Sequence, residues 1–312
     1  MRVELSAATD YTTVVAGSET ILLGTNSTWE NFNGFTNSVF NLAEPPAGVN
    51  PDGTYIQDFI NSDSTTHTVA SLAFGVDGNL FVSIGDGASY NDVDPRAVRV
   101  QDIDSLSGKV LRIDPITGQG LSDNPFYDGD PDSNRSKVYQ LGLRNPFRIS
   151  VDQATGQLYV GDVGWTTWEE VNTGGPGTNF GWPYYEGGQG VSIQTAGGYA
   201  NLSEAQVFYA SGAEVTAGSV ALNHATDGIN AIVLGDVIRG GDLGQQYEGD
   251  VFFNDLGQGI VRNASIDANG VVTNVDVFAT GAQYVVAMRQ GPDGSLYFVD
   301  LLDGEIGKWQ LV

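Results

Sequence analysis

Apolar residues along the chain gather in short runs of Val, Ile, Leu, Phe and Tyr, separated by turns that carry glycine. No stretch sustains the 3.6-residue period of an amphipathic helix, and the runs have strand length. The pattern predicts an all-β chain. One unit returns four times: a turn glycine, an apolar strand with an aromatic residue, and a small or acidic stop. The copies are Asp77-Gly78-Asn79-Leu80-Phe81-Val82 ending at Gly85-Asp86, Gly156-Gln157-Leu158-Tyr159-Val160 ending at Gly161-Asp162, Gly249-Asp250-Val251-Phe252-Phe253 ending at Asn254-Asp255, and Asp293-Gly294-Ser295-Leu296-Tyr297-Phe298 ending at Asp300. A second strand follows each copy, at Gly108–Ile113, Glu169–Asn172, Gly259–Arg262 and Glu305–Trp309.

Repeated hairpins with loops of variable length read as a β-propeller, in which each blade is a small antiparallel sheet packed on its neighbours. A β-sandwich with coincidental hairpins is the competing architecture. The expected organisation is a single propeller domain over residues 1–312, with about four recognisable blades in 67–312. Residues 1–66 form a partial blade and long loops, with strands expected at Arg2–Leu5 and Glu19–Leu23 and a polar stretch near Glu44–Thr54.

Composition narrows the function. The 38 acidic residues outnumber the 13 Lys and Arg, for a formal net charge of −25. With no basic stripe to neutralise phosphates, nucleic acid is not an expected partner, and an anionic membrane surface is equally disfavoured. No run of 18 apolar residues is present, so no membrane insertion is expected. Cysteine is absent, which removes disulfides, thiol catalysis and cysteine-ligated zinc. Met1–Leu5 shows no basic segment leading into an apolar one, so no signal peptide is read there.

The stretch from His67 to Glu186 carries a set of ordered motifs. They are Leu72-Ala73-Phe74-Gly75-Val76-Asp77-Gly78, Gly85-Asp86-Gly87, Gln101-Asp102 with Ser105-Leu106, Gly108-Lys109-Val110-Leu111-Arg112-Ile113-Asp114, Asn124-Pro125-Phe126, Gly142-Leu143-Arg144-Asn145-Pro146-Phe147-Arg148, Gly161-Asp162-Val163-Gly164, Trp168-Glu169-Glu170-Val171-Asn172 and Asn179-Phe180-Gly181-Trp182-Pro183-Tyr184. In this order they resemble the glucose/sorbosone dehydrogenase family, the soluble aldose sugar dehydrogenases that use pyrroloquinoline quinone (PQQ). Val237-Ile238-Arg239-Gly240 and the Asp293–Trp309 unit extend the likeness toward the C-terminus.

The resemblance implies a six-bladed propeller. On its register the chain begins inside the second blade, so the first blade and part of the second are missing: either the sequence is truncated, another segment or chain supplies them, or the ring has been remodelled. It also implies oxidation of an aldose to its lactone, with PQQ and calcium as cofactors, a sugar substrate, an electron acceptor of unknown identity and an extracellular or periplasmic setting. That chemistry needs a base for the hydroxyl proton, an electrophilic carbonyl and a cation that polarises it.

In the resemblance His67 is the catalytic base; the plain alternative is a loop histidine between Thr66 and Thr68, which offer no orienting carboxylate. Arg144 and Asn145 match the pair that meets the quinone and its carboxylates, or else brace an Asn-Pro turn. Arg239 matches a basic cofactor contact, or is a blade-edge arginine. Gln258 stands near where relatives carry another basic group. The Gly164 and Trp165 carbonyls correspond to those that hold calcium. Asp128–Asn134 reads as a solvated acidic loop or a structural calcium loop, and His224 as a channel or loop residue. Trp165, Trp168, Trp182, Tyr184 and Tyr185 could stack on sugars or pack between blades, and Trp182 reads as structural. Two further readings stay open: a non-catalytic propeller that binds glycans or proteins, and a calcium-dependent lactonase-type propeller.

Overall fold

A computed structural model describes residues 1–28, 46–89, 94–187, 220–241, 243–267 and 271–309. Four antiparallel sheets follow one another along the chain. The first holds β1 (Val69–Phe74), β2 (Leu80–Ile84), β3 (Lys109–Ile113) and β4 (Val138–Leu141). The second holds β5 (Pro146–Val151), β6 (Leu158–Asp162), β7 (Trp168–Thr173) and β8 (Val220–Asn223). The third holds β9 (Ile232–Val237), β10 (Val251–Asp255), β11 (Ile260–Ile266) and β12 (Val272–Thr280), and the last β13 (Val285–Gln290), β14 (Leu296–Asp300) and β15 (Glu305–Trp309). The described helices are short: α1 (Asn134–Lys137) and α2 (His224–Asp227) are single turns, and the longest is a seven-residue 3-10 helix at Pro95–Gln101. None is long and apolar enough to cross a membrane.

The recurring sequence unit is the turn into the second strand of each sheet. Gly78, Gly156, Gly249 and Gly294 all have φ between 78° and 88°, a left-handed backbone that glycine adopts without steric cost. Their strands β2, β6, β10 and β14 are the second strands, and the companion motifs are the third strands β3, β7, β11 and β15. The strands expected at Arg2–Leu5 and Glu19–Leu23 are reduced to isolated bridges, Arg2 with Thr20 and Leu5 with Val14. That segment still packs: Leu22, Leu23 and Ile60 cover the face of the first sheet that holds Val82, Leu111 and Val138.

The sheets pack face to face through apolar side chains. Phe81 and Val110 of the first meet Ile149 and Val160 of the second. Tyr159 and Val171 of the second meet Leu234 and Phe253 of the third. Phe252 and Val261 of the third meet Met288 and Leu296 of the last. The first strands run alongside one another in the same direction, as the cross-blade bonds show. Arg148 on β5 bonds the Ala70 carbonyl on β1, while Gln153 just beyond β5 reaches the Phe74 carbonyl at the end of β1. Ser150 on β5 bonds Asp236 on β9, and Asp152 just beyond β5 bonds Arg239 just beyond β9. This is propeller architecture. It gives the assembly two ends: one gathers the residues that precede β1, β5, β9 and β13, the other those that follow them.

The interblade clusters carry the stability of this arrangement. Phe253→Ala, at a fully buried position, is expected to lower unfolding free energy by about 3–5 kcal/mol. Ile306→Ala, at a position 76% exposed, is expected to change it by less than about 0.5 kcal/mol. Denaturant titration of the two variants beside the parent checks both.

Candidate active site

The end that precedes the inner strands holds a buried imidazole. His67 lies two residues before β1 with φ 55°, and its side chain is 6% exposed. Its Nδ1 stands 2.8 Å from Asp86 Oδ1. An ionised carboxylate only accepts, so the proton is on Nδ1 and the lone pair on Nε2. Nε2 makes no hydrogen bond among the described residues. The orienting carboxylate that Thr66 and Thr68 do not supply therefore comes from Asp86, 19 residues along the chain.

Local sequence explains how the two meet. A Cβ on Gly85 would lie 2.5 Å from the His67 carbonyl oxygen, so only glycine lets the strand end approach this loop. Gly85 N–H donates to the Thr68 carbonyl and Gly87 N–H to the His67 carbonyl, which pins the loop against the turn. Asp86 Oδ1 also accepts the Ala88 N–H, and Oδ2 accepts Trp182 Nε1 at 3.0 Å.

Electrostatics favour a neutral base. Burial pushes the His67 imidazole below its ordinary value; Asp86 pulls the other way, and the nearby Arg144 charge adds to the fall. Burial acts to raise the Asp86 carboxyl, yet His67, Arg144 and the Ala88 N–H outweigh it and hold the group below its ordinary value. The arrangement is an imidazole with a fixed tautomer, held below its ordinary value and able to accept a proton at Nε2.

Arg144 and Asn145 precede β5 at the same end. Asp162, at the end of β6, accepts both of their backbone N–H groups, at 3.0 and 2.7 Å. Arg144 is 4% exposed; its Nη1 donates to the Val163 carbonyl at 3.0 Å and the Gly164 carbonyl at 2.5 Å, and its guanidinium lies 5.5 Å from the Trp182 ring centroid. The Arg144 carbonyl in turn accepts the Asp86 N–H. His67, Arg144, Asn145, Gly164 and Trp165 are thus brought together.

Arg239 is not brought to them. It follows β9 at the far end, where Nε and Nη2 bond the Asp152 carboxylate at 2.9 and 2.6 Å and Nη1 reaches Glu248 at 3.3 Å. There it lines a cavity of about 650 Å³ with Asp152, Tyr159, Glu248 and Asp250. A strand's length separates it from the His67 end, and two carboxylates hold it there. The side chain expected to meet the cofactor is a brace between the second and third blades.

The remaining candidates resolve as follows. Gln258, in the β10–β11 turn, is at the His67 end, beside Gly228. His224 begins α2 and its Nε2 pairs with Glu169 Oε1 at 2.8 Å. Asp128 accepts from the Asp130 N–H and from the Ser133 and Ser136 hydroxyls, which is the bonding of a self-closed acidic loop. Trp182 and Tyr184 are buried against Ala88, Ala97 and Val100, with Trp165 and Tyr185 packed on them.

Two site residues, Asp86 and Asp162, were not singled out from the sequence, although a signal was present. Each is the acidic stop of the recurring unit. The end of a second strand lies beside the start of its antiparallel inner strand, so the stop carboxylate can reach the loop there. Asp86 bonds His67, Asp162 bonds Arg144 and Asn145, and Asp255 accepts the Asn230 N–H ahead of β9. More acid lies behind the Gly164–Trp165 turn. Glu186 Oε1 accepts the Trp165 and Trp168 N–H groups. Burial pushes Glu170 up to about 7, and burial together with Glu170 pushes Asp162 well above its ordinary value.

A propeller with a buried His–Asp pair and an arginine at one mouth is the class that fold and site define. The Glucose / Sorbosone dehydrogenase family matches residues 52–308, and the chain belongs to that family. It is 27% identical over 249 residues to aldose sugar dehydrogenase YliI of Escherichia coli, covering 78% of this chain and 59% of that one. It is 34% identical over 139 residues to the HIPL1 protein of Arabidopsis thaliana, covering 39% of this chain and 19% of that one. The chain therefore spans less than two thirds of the length of these relatives. Among solved structures, a glucose dehydrogenase superposes with a TM-score of 0.59 at 20% identity, over 86% of this chain and 72% of that one. The PQQ-bound aldose sugar dehydrogenase of Streptomyces coelicolor superposes with a TM-score of 0.54 at 21% identity, over 84% and 64%. These likenesses establish the propeller fold.

The chain has only two histidines, and their surroundings act in opposite senses. The hydrogen bond to the Glu169 carboxylate raises His224 above its ordinary value, whereas burial lowers His67. Imidazole NMR is expected to show one midpoint below 6.5 and one above, with His224→Gln removing the upper. The stability His224 adds is present below 6.5 and lost as pH rises through its raised midpoint. His67 has the opposite sign: stability falls as pH drops below 6.5, because the unfolded chain takes up the proton first. Unfolding free energy measured from pH 5 to 8 is expected to lose its acid-side decline in His67→Gln.

Proposed function

We propose that this chain carries the site of a PQQ-dependent sugar dehydrogenase that oxidises an aldose at its anomeric carbon to the lactone. The observation that carries the reading is the His67–Asp86 pair, a buried imidazole whose Nε2 makes no hydrogen bond among the described residues. The residues fit the cofactor in kind. Arg144 supplies a buried positive charge for a carboxylated quinone, Asn145 an amide beside it, and His67 the base.

Calcium fits less specifically. No group of three or more His, Asp or Glu among the described residues is arranged to hold a metal ion. The Gly164 carbonyl already accepts from Arg144, which leaves one lone pair, while the Trp165 carbonyl accepts no hydrogen bond among the described residues. These two oxygens are the calcium ligands we propose among the described residues.

When bound, PQQ supplies the electrophilic carbonyl that accepts hydride. The chain's own work is at the proton. His67 Nε2 takes the proton of the anomeric hydroxyl, and Asp86 holds the ring and stabilises the imidazolium that results. Arg144 orients the carboxylated partner without giving up its own proton.

The test is calorimetric titration of PQQ into the metal-stripped chain with and without calcium, followed by aldose oxidation with a dye acceptor. One-to-one, calcium-dependent binding is expected, with turnover falling about 10²–10⁴-fold in His67→Gln while PQQ affinity is kept. A folded chain that binds no PQQ under either condition would overturn the reading in favour of a glycan- or protein-binding propeller.

A further inference from the structure

We infer that Trp182 is a positioning residue of the base: its indole holds the Asp86 carboxylate toward His67 and at the same time carries the Arg144 guanidinium on its face. The inference rests on the reading of His67 as the base, and its test can fail separately from that reading.

Three observations carry it. Asp86 distributes its oxygens unequally: Oδ1 serves His67 and Ala88, whereas Oδ2 has Trp182 Nε1 as its hydrogen-bond donor. The indole N–H is a donor only, so this bond stabilises the ionised carboxylate. The same ring lies beneath Arg144, with 5.5 Å from the guanidinium carbon to the ring centroid, within the range of a cation–π contact. Backbone bonds anchor the ring's own position: Trp182 N–H donates to the Gly142 carbonyl, and the Trp182 carbonyl accepts from Gln101 Nε2. One rigid side chain therefore fixes the partner of the base and the charge beside it. Packing against Ala88, Ala97 and Val100 alone would not require its N–H to be aimed at a carboxylate.

Removing the N–H has a definite sign. With Phe at this position, Asp86 Oδ2 is buried without that donor, and the carboxylate draws more strongly on the imidazolium proton. The charged groups acting on His67 are Asp86, which raises its midpoint, and Arg144, which lowers it. A guanidinium less firmly seated over a smaller ring acts in the same direction. The His67 midpoint is expected to rise by about one pH unit in Trp182→Phe.

The experiment is NMR on the cofactor-free chain. In the parent protein, the Trp182 indole N–H resonance is expected to move with the same midpoint as the His67 ring carbons, and to stop moving in His67→Gln. In Trp182→Phe, judged folded by near-ultraviolet circular dichroism, the His67 midpoint is expected to rise. An indole resonance that stays flat through the His67 titration overturns the inference even if the variant does not fold. So does an unmoved midpoint in the folded variant. Because neither signal needs PQQ or sugar, a chain that shows both yet turns over no aldose retains the coupling and loses only the proposed activity.

Discussion

The inner strands of the four blades lie side by side in the same direction, and this shared direction decides which residues can meet. Arg148 shows the constraint in one side chain. From β5 its guanidinium donates to the Ala70 carbonyl on β1 and the Val286 carbonyl on β13, as well as to its own Phe147 carbonyl. Three inner strands are tied at one level. With that level set, His67, Asn145, Asn230 and Tyr284 stand at the entries of β1, β5, β9 and β13, while Phe74, Asp152, Arg239 and Gln290 stand at the other end. Arg239, held by Asp152 and Glu248, stands at the opposite end from His67.

Charge at the mouth is arranged around that frame. The chain is strongly acidic, and four of its carboxylates, Asp86, Asp162, Glu169 and Glu170, are buried in the first two blades near the mouth. Burial of ionised groups is costly unless each is paired or hydrogen-bonded. Asp86 meets this condition with a histidine, an indole and a backbone N–H, and it stays ionised. Glu170 meets it only in part and titrates near neutrality. The contrast is one of surroundings: the partners of Asp86 hold it below its ordinary value, whereas burial raises Asp162 and Glu170 behind the Gly164–Trp165 turn.

Much of the fold was legible because it repeats. A glycine turn before an apolar strand with an aromatic residue marks the second strand of each sheet, and the positive φ of Gly78, Gly156, Gly249 and Gly294 supplies the reason. The strands expected near the N-terminus were not legible in the same way. Arg2–Leu5 and Glu19–Leu23 have strand-like composition, but Arg2 and Leu5 pair only through isolated bridges to Thr20 and Val14, while Leu22 and Leu23 pack on the first blade. Within the site, His67 and the Arg144–Asn145 pair could be picked out by motif. Asp86 could not be assigned to His67, since the bond joins residues on either side of a hairpin. Its position as the acidic stop of the repeat was the available clue.

The sequence by itself determined the all-β class, the recurring two-strand unit and membership in a sugar dehydrogenase family, because turn glycines, strand runs and motif order are local properties of the chain. Tertiary structure decided what those residues do together. It turned the stop carboxylate of the first repeat onto His67, placed Trp182 between that carboxylate and Arg144, and carried Arg239 to the opposite end. These outcomes depend on the antiparallel return of the second strand and the parallel stacking of the blades. Both are distances in space that separation along the chain does not encode.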